Sequence, residues 1–83
     1  MIVYDLWGHM VSTENLEELH DFARMMGLDR RLYHVDGRGE HHAHYDLLNN
    51  RLKERARMFG AVKVRARDLV ERAWWGKEPA RKR

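Results

Sequence analysis

The sequence predicts an α/β fold: a small three-stranded parallel sheet with three helices, in the chain order strand, helix, strand, helix, strand, helix. Three short apolar or alternating runs, too brief for helices, are separated by segments whose apolar residues recur at helical spacing. The first two of those segments stop at Gly27 and Gly60, the residue type that most often closes a helix. Eighty-three residues without a cysteine leave room for one domain, held together by packing alone. Residues 1–75 are assigned to that domain and residues 76–83 to a frayed basic tail.

Met1 to Leu6 is apolar and β-branched and is closed by Trp7-Gly8-His9, which reads as the first strand. Ser12 and Thr13 supply a polar lead-in to the first helix. Asn15 caps that helix, Glu18 completes a capping-box-like pair, and Leu16, Leu19, Phe22, Ala23 and Met26 share one face. His20, beside the stripe, reads as a half-buried packing residue, and Met25, Met26 and Met58 read as core filler at helix ends. Gly27 followed by apolar Leu28 fits a left-handed C-terminal cap.

Arg31 to Val35 alternates as the second strand, and Asp36-Gly37-Arg38-Gly39 breaks it. His41 to Asp46 is polar and reads as a loop. From about Leu47, the spacing of Leu48, Leu52, Ala56 and Phe59 marks the second helix. Ala61 to Val64 forms the third strand, and Arg67 to Trp74 the last helix, with Leu69, Val70, Ala73 and Trp74 inward.

Strand order 2-1-3 is favoured over 1-2-3 because the first strand is the most apolar and so suits the centre of a parallel sheet. Three strands leave the sheet faces incompletely covered, which points to a homodimer through an exposed edge, Trp74 or Trp75. No apolar run approaches the roughly 18 residues of a spanning helix, and no charged-then-apolar leader precedes the first strand. The expectation is a cytoplasmic protein without a membrane partner.

Charge is strongly polarised along the chain. Residues 1–50 hold four Lys/Arg against nine Asp/Glu, a net −5, and residues 51–83 hold twelve against four, a net +8. All six histidines lie in the first part. Such a chain either neutralises itself on folding or offers its basic end to an anionic partner. The absence of cysteine excludes a thiolate zinc ribbon and a cysteine nucleophile. Ser12, the sole serine, and its neighbour Thr13 sit in no nucleophile elbow.

In parallel α/β sheets, ligands gather at the carboxyl ends of the strands. That topology would group Trp7, Gly8 and His9 with Arg38, the His41 to Asp46 segment, Arg65 and Arg67. Within it, His41-His42-Ala43-His44-Tyr45-Asp46 is the densest signal. Imidazoles and a carboxylate two residues apart can reach one divalent metal from an extended segment, with His9 or Asp5 completing the shell. For an anion, Arg38 between two glycines supplies a guanidinium near backbone N–H groups, and Arg65 and Arg67 stand at the first turn of the last helix. For nucleic acid, Arg51, Lys53, Arg55 and Arg57 follow the polar side of the second helix, with Trp74 and Trp75 as stacking surfaces.

The chain also resembles a known family. The Val-Tyr-Asp strand, Trp7, His9-Met10, Leu16-Glu17-Glu18-Leu19-His20-Asp21-Phe22-Ala23, Gly27-Leu28, His44-Tyr45-Asp46-Leu47 and Gly60-Ala61-Val62 are similar, in order, to the small bacterial and bacteriophage family catalogued as domain of unknown function 4031. The resemblance spans roughly positions 2 to 70. The Leu-Glu-Glu-Leu-His-x-Phe-Ala run and the His-Tyr-Asp triplet are its most specific parts. His41, His42 and the Trp-Trp basic tail depart from the pattern. The resemblance implies no activity, but it implies that His9, His20, His44, Tyr45 and Asp46 belong to the shared polar set.

The expected function is that of a small binding module taking an anionic ligand, a nucleotide or nucleic-acid phosphate, with Trp7, His9, Arg38, His44, Tyr45, Asp46, Arg65 and Arg67 as ligand-binding candidates. The alternative is a metal-dependent hydrolase or nuclease, with His9, His44 and Asp46 as ligands and Asp5 in support. A third reading is a host-protein interaction module acting through its tryptophans and basic surface.

Overall fold

The computed structural model describes residues 1–36 and 39–77. Its strands are β1 (Ile2–Tyr4), β2 (His9–Ser12), β3 (Tyr33–Asp36), β4 (Gly39–Asp46) and β5 (Val62–Lys63). Its helices are α1 (Leu16–Met25), α2 (Asn50–Met58) and α3 (Ala66–Arg72), with short 3-10 turns at Arg30–Leu32 and Trp74–Lys77. Among the described residues the strands form one mixed sheet in the order β3-β4-β2-β1-β5. The pairings β1·β2, β2·β4 and β3·β4 are antiparallel, and β1·β5 is parallel.

This overturns the expected three-stranded parallel sheet, and two hairpins account for the difference. Trp7-Gly8-His9 does not lead the chain away from the sheet. Gly8 N–H donates to the Asp5 carbonyl at 3.0 Å, and Asp5 N–H donates to the His9 carbonyl at 3.2 Å. The chain therefore folds straight back into β2. The His41 to Asp46 segment, read as a loop for its polarity, lies in the longest strand, β4, which pairs antiparallel with β3. Of the parallel arrangement only the contact of the first and last strands persists, in the register Val3↔Val62 and Tyr4↔Lys63.

The sheet is covered on both faces. On one, Ile2, Tyr4, Met10 and Tyr45 pack with Leu19, Phe22, Ala23 and Met26 of the α1 region and with Ala56 of α2. On the other, Val3 and Val11 pack with Leu69 and Ala73, and Val64 and Trp75 lean on them. The alternation of the strands makes this sorting automatic, since successive side chains point to opposite faces.

Both longer helices are capped by asparagine. The Asn15 Oδ1 accepts from Glu18 N–H at 2.7 Å and the Asn49 Oδ1 from Leu52 N–H at 2.9 Å. Glu18 does not reach back to its cap. Its carboxylate takes the Met1 amino group at 2.8 Å and the Ser12 hydroxyl. At the other end of α1, Leu28 N–H donates to the Ala23 carbonyl at 2.8 Å and Gly27 N–H to the Arg24 carbonyl at 3.1 Å, the paired bonds of a Schellman cap with Gly27 at φ +73°.

The helix stripes differ in detail from the sequence reading. Leu48, Phe59, Met25, Met58 and Val70 are exposed, and Leu47 and Leu28 are buried in their place. Leu48 and Phe59 fall outside α2, whereas Met25, Met58 and Val70 lie within their helices on sides turned away from the core.

Candidate metal centre

The β1–β2 turn is organised by one carboxylate. Asp5 is 1 % exposed. Its Oδ1 accepts the His9 backbone N–H at 3.0 Å, and its Oδ2 faces His9 Nδ1 at 3.1 Å. A carboxylate only accepts, so His9 Nδ1 carries the hydrogen, and Nε2 is left with its lone pair directed away from Asp5. The turn in turn is pinned to the end of β4. Leu47 N–H donates to the Gly8 carbonyl at 2.7 Å. Gly8 has φ +93°, and a Cβ there would lie 2.4 Å from the Leu47 oxygen. Only glycine permits this approach, and the approach sets His9 opposite Asp46 in the β2·β4 register.

The second half of the cluster comes from the alternation of β4. Ala43 and Tyr45 are buried on the face that carries the larger core or in its backbone ladder, whereas His42, His44 and Asp46 are half-buried. His44 is the cross-strand partner of His34, and their rings stack at 5.7 Å. His44 Nδ1 lies 2.8 Å from the His42 carbonyl. That oxygen can only accept, so the hydrogen sits on Nδ1 and the Nε2 lone pair of the neutral ring points at Asp46 Oδ1, 3.2 Å away. The other Asp46 oxygen, Oδ2, is held by His34 Nε2 at 2.9 Å.

One ligating atom each of His9, His44 and Asp46 falls within 4.8 Å of the other two. The His44–Asp46 separation is close to the edge of a tetrahedron with bonds near 2.1 Å, about 3.4 Å. Both histidines have their second nitrogen fixed, by Asp5 and by the His42 carbonyl, and the carboxylate has its second oxygen fixed by His34. This is the outer set of hydrogen bonds that orients metal ligands.

Beside the cluster lies a cavity of about 290 Å³. Its polar end is formed by Asp5, His9, His42 and His44, and its wall by Val11, Ala66, Leu69, Val70 and Trp75. Trp75 is fixed there by its indole N–H, which donates to the Ala43 carbonyl at 3.2 Å, and by stacking on the His42 ring at 4.9 Å.

Of the residues singled out from the sequence, the structure brings His9, His44 and Asp46 together, with Asp5 behind His9. It separates the others. His9, His44 and Asp46 meet on a sheet face and not at a shared carboxyl edge, because β2 and β4, which carry them, are antiparallel. Tyr45 lies on the opposite face, where its hydroxyl meets His20 Nδ1 at 2.7 Å and burial pushes its pKa up against the opposing charges of Arg30 and Arg24. Trp7 is 73 % exposed on the hairpin turn. Arg65 borders a different hollow with Leu6, Lys63 and Asp68, and its Nε is 3.3 Å from Asp68. Arg67 is exposed on α3, and Arg38 lies outside the described residues. His34 was missed as a partner of the site, and His42 was read only as part of the His41 to Asp46 segment and not singled out from it. The signal was the period-two alternation of His42, His44 and Asp46 with Ala43, Tyr45 and Leu47.

A mixed sheet with helices on both faces, carrying a His/Asp cluster at the mouth of a cavity, defines a small α/β domain with a candidate metal centre. Residues 2–74 match the model of the family described as Protein of unknown function (DUF4031), and the chain belongs to that family. Comparisons with curated proteins and with solved structures give no match. Among the described residues no helix is long and apolar enough to cross a membrane.

Proposed function

We propose that this domain is a metal-dependent hydrolase whose divalent ion is held by His9, His44 and Asp46. One observation carries the reading: with Nδ1 committed to the His42 carbonyl, His44 turns its Nε2 toward the Asp46 carboxylate at 3.2 Å. Two acceptors at that distance repel unless a positive charge, a metal ion or an added proton, lies between them. Three protein ligands with an open side toward a cavity are the arrangement of catalytic rather than closed structural metal sites. His9, His44 and Asp46 would hold the ion, and the chemistry it would supply there is Lewis-acid polarisation of a substrate oxygen and a lowered pKa for a bound water. The chain's own part is to hold both imidazoles in the ligating tautomer and to keep one side of the cluster dry with Val11, Leu69 and Trp75.

The test is a calorimetric titration of the full chain with Zn(II), followed by assay of 4-nitrophenyl acetate and 4-nitrophenyl phosphate. One equivalent should bind, His44→Ala and Asp46→Ala should reduce binding to the level of scattered surface histidines, and His41→Ala should leave it intact. Equal binding by the His44→Ala and His41→Ala proteins would remove the site. Stoichiometric binding with no turnover above the His44→Ala background would leave a metal-binding domain without hydrolytic activity.

A second reading, binding of an anionic nucleotide or nucleic-acid phosphate, draws support from the hollow of about 510 Å³ that Lys63 and Arg65 share with Leu6. Single-stranded DNA should then bind with an affinity that falls steeply with salt, and Lys63→Ala should weaken it. Salt-independent binding would count against an electrostatic contact.

A further inference from the structure

We infer that the cavity beside the metal ligands takes an uncharged ring or branched aliphatic group, attached to a head group that coordinates the ion. The inference rests on the metal reading above and specifies its ligand. Among the described residues that line the cavity there is no lysine or arginine, so nothing there neutralises a polyanion. The wall is made by Val11, Ala66, Leu69, Val70 and Trp75. Its volume, about 290 Å³, stands at the lower end of ligand pockets, roughly 300 Å³, which suits one ring and not a length of polymer.

Two features show that the wall is held in place. Leu69 is 3 % exposed and packs with Val3, Val11 and Ala73, which anchors α3 to the sheet. Trp75 is held at both ends, by the Ala43 carbonyl and by the His42 ring. His42 lies two residues before His44 on β4, so the support of Trp75 and one ligating imidazole share that strand. A ligand whose head group reaches His9, His44 and Asp46 therefore has its substituent directed along α3. Val70 is 49 % exposed at the rim, which makes it the position where polarity can be changed without disturbing the core.

Acetohydroxamate and benzohydroxamate offer the same metal-binding head with a methyl group or a phenyl ring, so their comparison isolates the ring. The full chain is loaded with Co(II), its visible absorption confirms the bound ion, and each hydroxamate is titrated into that signal. Benzohydroxamate should bind about tenfold more tightly, the equivalent of roughly 1.4 kcal/mol. Val70→Asp and Ala66→Asp, both at exposed positions, should remove that preference, and Val62→Asp, on the far edge strand, should keep it. Co(II) stoichiometry is measured on every variant, so that a lost ring preference is not confused with a lost ion. Bound Co(II) with equal affinity for the two hydroxamates overturns the inference and leaves the metal site standing, as does a preference that survives both aspartates. Failure to bind Co(II) at all overturns both readings.

Discussion

At Asp5 a single buried carboxylate does two things that a sequence presents as unrelated. It accepts the His9 amide, which closes the hairpin, and it sets the tautomer of the His9 ring. Asp5→Asn separates these roles. The amide oxygen can still accept the backbone N–H, but its NH₂ faces Nδ1 and transfers the ring hydrogen to Nε2, the nitrogen needed for an ion. We expect Zn(II) affinity to fall about 10–100-fold, the usual effect of removing such an orienting partner, with a melting curve near that of the parent. Unchanged affinity in a calorimetric titration would show that His9 is not oriented by Asp5. Asp5→Ala should lower stability as well, by about 1–3 kcal/mol, because polar groups buried beside it lose their partner. The residue types of this pair are plain in the sequence. Their hydrogen-bond geometry is not, since a β1–β2 turn had to be recognised before Asp5 and His9 could be placed side by side.

At the scale of elements, the two hairpins position everything in the candidate site. Gly8 makes the tighter demand. Its φ of +93° and the 2.4 Å approach to the Leu47 oxygen combine in Gly8→Ala, whereas Gly27 at φ +73° has nothing within 4 Å of an added Cβ. Gly27→Ala should cost about 1–2 kcal/mol, the left-handed penalty alone. Gly8→Ala should cost distinctly more in a denaturant titration and should also weaken metal binding, because the turn that holds His9 against β4 must open. Equal costs at the two glycines would show that the Leu47 contact is easily relieved. The caps of α1, at Asn15 and Gly27, were legible because each is a local pattern with a local cause. Strand β4 was not, because histidines on its half-covered face gave it the polarity of a loop, although its alternation has the period of a strand.

For the whole molecule, the shifted ionisable groups bound the pH range of stability. Burial of Glu18 acts to raise its pKa, but hydrogen bonds from the Met1 amino group and Ser12, with the nearby positive charge, outweigh it and hold the pKa low. Asp29 is lowered by the Arg31 backbone N–H and side chain, and Glu54 by the Arg57 guanidinium. Carboxylates whose folded pKa is depressed add stability above their unfolded value, about pH 4, and lose it as pH falls through the folded value. Tyr45 has the opposite sign. Its pKa is raised by burial, so its contribution is complete below about pH 10 and is lost as pH rises further. Melting temperatures taken across pH should fall at both ends. Glu18→Gln should flatten the acid limb and Tyr45→Phe the alkaline one, and a limb of unchanged slope in either variant would remove that residue from the account.

Legible in the chain itself were the mixed helix and strand content, the Asn15 cap, the glycine stops, and the residue types His9, His44 and Asp46 that now sit together. Each of these follows from spacing over a few residues or from chemistry that one side chain carries. Tertiary structure alone decided that the sheet has five strands and is mostly antiparallel, that Tyr45 turns to the core while His42 and His44 turn to the cavity, and that Asp5 stands behind His9. Those outcomes depend on which strands pair and in what register. One residue of slip would send every side chain of a strand to the other face, and the register here is set by contacts, such as Gly8 against Leu47, between residues far apart in the chain.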